Sequence, residues 1–94
     1  MTLNNIGSVY DARGNYVKAL EYYERALDLK TKIKGKDSND VATTLNNIGS
    51  VYDSSGNFTK ALQYYERCLD IKSNIKGTDS IDVATLLNNI GVVF

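Results

Sequence analysis

The chain repeats itself. Residues 3–44 laid over residues 45–86 match at 30 of 42 positions without a gap, and residues 87–94 open a third copy. A fixed period of this length marks a supersecondary unit that cannot bury its apolar face alone and must stack on its neighbours. The whole chain, 1–94, therefore reads as one repeat region, with a first repeat at 1–36, a second at 37–78 and the start of a third at 79–94. Two full periods leave ten residues over, so the chain is expected to start and stop inside a repeat, as a piece of a longer protein would.

Each copy reads as two helices. Val41, Leu45, Ile48, Gly49 and Tyr52 recur at three- and four-residue steps and form one helical stripe. Ser38 is placed to cap this helix A and Asp40 to meet its positive end, a device repeated by Ser80 and Asp82. The doublets Gly14–Asn15 and Gly56–Asn57 break the pattern with residues that tolerate tight-turn angles. A second stripe then follows through Phe58, Ala61, Leu62, Tyr65, Cys68, Leu69 and Ile75, a helix B of roughly five turns. Its other face carries Lys60, Gln63, Glu66, Asp70 and Asn74 and is expected in solvent, with Glu21 and Arg25 paired in the first copy. Gly35 and Gly77 stop the two B helices. No strand pattern occurs, so the expected class is all-α.

Composition removes several functions. With 43% apolar and 23% charged residues the chain can bury a core. Eleven basic residues balance eleven acidic ones, leaving no basic field for nucleic acid or a membrane surface. No apolar run is long enough to span a bilayer, and Met1 is not followed by a basic-then-apolar leader. A single cysteine, Cys68, suits a reducing compartment, and the cytoplasm is expected. The triplet Asn57, Phe58, Thr59 spells a glycosylation acceptor, which that compartment leaves unused. There is no histidine, no paired-cysteine spacing and no Gly-rich phosphate loop, so no enzyme, no metal and no cofactor is expected. Cys68 sits at a small-residue position of the buried stripe, where packing outweighs reactivity.

Leu45, Ile48, Gly49 and Tyr52, followed by Ala61, Tyr65 and Cys68, resemble the tetratricopeptide pattern, as do Leu3, Ile6, Gly7, Tyr10, Ala19, Tyr23 and Ala26. In this pattern Gly49 lets helix B approach, Ala61 keeps the contact tight, and Tyr52 and Tyr65 are expected to fill the space between hairpins. Leu replaces the usual Trp, Cys68 replaces a small Ala, and helix B lacks the closing proline. The 42-residue period and the run Gly35, Lys36, Asp37, then residues 40–47, are similar to the long-period repeats of kinesin light chain, with Ser38 and Asn39 where that family has His-Pro. The resemblance covers essentially the whole chain. It implies a superhelical stack of antiparallel hairpins, an α-solenoid, with helix A lining the concave side and a protein-binding role rather than motor-cargo adaptation as such.

The helix-A residues outside the core stripe are then the candidate site: Asn4, Ser8 and Asp11 in the first copy, Thr43, Asn46, Asn47, Ser50 and Asp53 in the second, and Thr85, Asn88 and Asn89 in the third. A carboxamide both donates and accepts, so a row of them can pair with the backbone of an extended peptide. Asn4, Asn46, Asn88 and Ser50 are assigned to the groove. Asn5, Asn47 and Asn89 either join them or bond a neighbouring helix backbone and fix the stacking angle. Asp11 and Asp53 lie one repeat apart and are read as groove polars, not as a catalytic pair. Relatives that clamp a C-terminal carboxylate use cations on helix A; Asn4, Thr85 and Asn89 stand in those places and only Asn47 matches, so no strong binding of an acidic tail is expected.

The function expected is a scaffold that binds a peptide or protein segment in this groove. The rival is architectural, a segment whose ends stack or swap between copies to give a homo-oligomer, a dimer first, through apolar surface left bare by Val92, Val93 and Phe94. A third reading makes the segment a regulatory region of a larger multidomain protein.

Overall fold

The computed structural model describes residues 3–76, the last three of these in backbone alone. They form four helices: α1 (Leu3–Ala12), α2 (Tyr16–Lys34), α3 (Asn39–Ser55) and α4 (Phe58–Lys76). Helices α1 and α3 are the A helices, α2 and α4 the B helices, and no strand occurs among the described residues. Each A helix packs on the B helix that follows it, and α3 also packs on α2, so the two hairpins stack through that pair. The expected all-α class and hairpin stack are what is found. The connection between hairpins is short, with Gly35 at a φ of 90° ending α2 and Ser38 starting α3.

Local chemistry fixes the corners. The Ser38 hydroxyl accepts from the Val41 amide at 3.2 Å, as expected, and Asp40 lies in the first turn. Gly14 and Gly56 take φ of 77° and 89°, the left-handed geometry that only glycine adopts without strain. The Asn15 and Asn57 amides then bond back to the Tyr10 and Tyr52 carbonyls at 2.9 and 2.8 Å, a Schellman closure. The asparagines themselves do not take positive φ. Their role is to cap: Asn15 Oδ1 accepts from Lys18 N and Asn57 Oδ1 from Lys60 N, each at 3.3 Å. One Gly-Asn doublet thus ends helix A and starts helix B.

Two apolar clusters hold the fold. Val41, Ala42, Leu45, Ala61, Tyr65, Cys68 and Ile71 fill the second hairpin. Ala19, Tyr23, Ile48 and Val51 fill the seam between hairpins. Tyr65 packs within its own hairpin and its counterpart Tyr23 fills the seam to the next one, while Tyr52 borders both clusters and stacks on Tyr64 at 5.6 Å. Phe58, expected on the buried stripe, is 52% exposed; its counterpart Tyr16 packs against the seam cluster completed by α3, so stacking, not the hairpin, covers this position. Ile71, outside the expected stripe, is buried. Glu21 pairs with Lys18 at 3.8 Å rather than with Arg25, because the Arg25 guanidinium sits over the Tyr22 ring, 5.4 Å from its centre. The expectations on Gly77, Ser80, Asp82, Val92, Val93 and Phe94 lie outside the described residues, as does the side chain of Ile75.

Candidate functional site

The helix-A face is built by a glycine. At Gly49 an added Cβ would stand 2.8 Å from the Tyr65 ring and 3.2 Å from the Ala61 carbonyl; at Gly7 it would stand 2.9 Å from the Tyr23 ring. Missing that atom, helix A lets a helix-B tyrosine ring come up close against it. The phenol of Tyr65 then shares a hydrogen bond with Ser50 and lies in the field of Asp53. Tyr23 shares one with Ser8 and lies in the field of Asp11. Each hairpin so presents one set of serine, tyrosine and aspartate, at matching positions. The helical stripes place these tyrosines in the core alone; that a helix-B hydroxyl reaches the helix-A face is geometry that no stripe on a single helix reveals.

Burial, partly offset by the serine bond, pushes both phenols above their ordinary value, and the aspartate fields push the same way. The Asp11 field also reaches Tyr65, so the two sets share one electrostatic space. Burial raises the Asp11 carboxyl above its ordinary range, since a carboxylate partly withdrawn from water favours its neutral form. Tyr52 is raised by burial and by the Glu24 charge.

The asparagines divide differently from expectation. Asn4, assigned to the groove, bonds across the seam: its Nδ2 donates to Thr44 Oγ1 at 3.3 Å. Thr44 is wholly buried and its hydroxyl also reaches the Asp40 carbonyl at 3.2 Å. Asn4 thus ties α1 to α3 across the seam, and its neighbour Asn5 is exposed. Asn46, Asn47, Ser50 and Asp53 are half-buried, Thr43 and Ser8 are exposed, and Asp11 is half-buried. Ser8 and Ser50 remain on the face, each sharing one hydrogen bond with a tyrosine. Thr85, Asn88 and Asn89 lie outside the described residues. Lys72, buried, donates through Nζ to Asn39 Oδ1 and ties α4 to the start of α3.

Charge is sorted by layer, which the zero net charge conceals. Helices α1 and α3 carry Asp11, Asp40 and Asp53 and no basic residue. Basic residues outnumber acidic ones five to three on α2 and four to two on α4. Counting charge by helix instead of by chain would have found this. Among the described residues no group of three or more histidines, cysteines or carboxylates could hold a metal, and no helix is long and apolar enough to cross a membrane.

Repeated antiparallel hairpins of this geometry, with small residues where the helices cross, define a helical-repeat solenoid of the tetratricopeptide type. The family model for the tetratricopeptide repeat matches residues 1–74, and the chain belongs to that family. Among solved structures it is similar to the crystal structure of BtubC (BKLC) from P. vanneervenii, at 32% identity and a TM-score of 0.88. That match covers 97% of this chain and 36% of the other, so the chain spans about a third of that protein's length. The kinesin-light-chain-like repeat type expected from the 42-residue period stands. No curated protein matches the chain. Tetratricopeptide repeats generally mediate protein–protein interaction and are typically non-enzymatic.

Proposed function

We propose that the chain is a non-enzymatic, cytoplasmic interaction module whose helix-A face takes an extended segment of a protein partner. The observation that carries this reading is the recurrence of the same polar set in both hairpins: Ser8, Tyr23 and Asp11, then Ser50, Tyr65 and Asp53. A surface that repeats its hydrogen-bonding groups once per hairpin suits a ligand that repeats its own groups, as extended backbone does. Thr43, Asn46 and Asn47 stay at least partly exposed beside it and add donors and acceptors for that backbone. In sequence, Thr85, Asn88 and Asn89 continue the row.

A peptide-array screen tests this with two variants. Thr43→Trp places a bulky ring on the face, and Gln63→Trp places one on the outer side of α4. Binders of the natural chain should be lost with the first and kept with the second; no binder at all, or loss with Gln63→Trp alone, would contradict the proposal.

A second reading is favoured by one contrast. Val9 is 39% exposed whereas Val51, in the same register, is fully covered by the seam. Stacking of a second copy on α1 would cover Val9 in the same way. Sedimentation of the natural chain against Val9→Glu decides it: a dimer that the substitution dissociates supports stacking, and a monomer throughout excludes it.

A further inference from the structure

Resting on the groove reading, we infer that the helix-A face selects segments carrying Lys or Arg at intervals of about three residues, seating one cation beside Asp11 and the next beside Asp53. The spacing follows from two lengths. Stacked helices lie about 8–10 Å apart and extended chain advances about 3.3 Å per residue, so successive hairpins meet every third residue, within the stacking scatter.

The charge follows from independent observations. The A layer carries acidic residues and no Lys or Arg, while the B layer carries the excess of both. The ion pairs seen, Lys18–Glu21 and Lys32–Asp28, lie on α2, and neither Asp11 nor Asp53 is paired with a cation of the described residues. Each carboxylate lies within electrostatic range of a helix-B tyrosine that pairs with a helix-A serine, and these hydroxyls add acceptor oxygens for an ammonium or guanidinium group. Partial burial of Asp11 without a counter-charge costs folding energy, and an arriving cation returns it. An acidic or phosphorylated segment meets like charge on the same face.

Fluorescence anisotropy with labelled peptides tests the inference on the full chain. One peptide is built of Lys-Ser-Gly triplets, and three others carry Gln in place of Lys, carry Glu there, or bring the lysines to every second residue. The Lys triplet peptide should bind tightest and weaken with added salt. Asp11→Asn and Asp53→Asn should each loosen it about two- to fivefold, the range of a solvent-accessible ion pair, while Glu66→Gln on the outer face of α4 changes nothing. Circular dichroism confirms that the variants fold. Equal binding of the Gln and Lys peptides would overturn the charge selection and leave the groove standing. Equal binding at both lysine spacings would overturn the register. Loss of every peptide would overturn the groove reading with it.

Discussion

Helices α1 and α3 share nine consecutive residues, 3–11 and 45–53, yet within them α1 fully buries only Gly7 while α3 buries Leu45, Ile48, Gly49 and Val51. The local sequence is the same; what differs is the neighbour. Helix α3 has α4 on one side and α2 on the other, whereas α1 has α2 and, among the described residues, no second B helix. Burial in a solenoid therefore belongs to the stack, and each hairpin becomes a core element when another is laid against it.

That contrast can be broken by matched substitutions. The largest effect is expected at Leu45, which is 1% exposed, against half-buried Leu3. Leu45→Ala should cost about 2–5 kcal/mol and Leu3→Ala less than half of that, read from urea unfolding; equal losses would show that the neighbour does not matter. Next come the glycines. Gly49→Ala pushes against a backbone carbonyl as well as a ring, Gly7→Ala against a ring alone. Overpacking of about 1–3 kcal/mol is offset by about 1 kcal/mol of helix propensity, so Gly49→Ala should destabilise and Gly7→Ala come out near neutral in the same assay.

The caps sharpen the comparison from the other side. Asn15→Ala and Asn57→Ala remove identical local bonds and should each cost about 1 kcal/mol, alike in both hairpins because no neighbour is involved. Calorimetric melting of the two variants checks this; unlike losses would mean that the corners also depend on stacking.

The smallest effects are in pH. The Tyr23 and Tyr65 phenols are raised above the ordinary value of 10.0 in the folded chain, so the unfolded chain loses these protons first. Their stabilisation is complete below about pH 10 and is lost as pH rises through the folded values. Replacing either tyrosine by Phe should flatten part of that alkaline loss in thermal melts. Asp11 is also raised, from 3.8, so its contribution is present below that value and lost as pH climbs through the folded one. Asp11→Asn should accordingly raise the melting temperature slightly at neutral pH and leave it unchanged in strong acid.

The sequence disclosed the hairpins because the signals are local and doubled. Ser38, Gly14, Gly56 and the leucine stripe act within one turn or one helix, and the second copy repeats the first. It hid the seam. Val51 and Thr44 lie beside the assumed stripe and are buried by a different helix, and Asn4 reaches Thr44, forty residues away. It hid most of the site for the same reason: a tyrosine that belongs to the core of helix B delivers its hydroxyl to the face of helix A through the gap at Gly7 or Gly49. A stripe on one helix shows what is buried, not which partner crosses it.

Backbone amide resonances followed while the Lys-Ser-Gly peptide is added test the central claim most directly. Shifts gathered at Ser8, Asp11, Asn46, Asn47, Ser50 and Asp53, with the outer side of α4 quiet, are the predicted result. Shifts gathered instead at Gln63, Glu66 and Asp70 would place the ligand on the wrong layer and contradict the account.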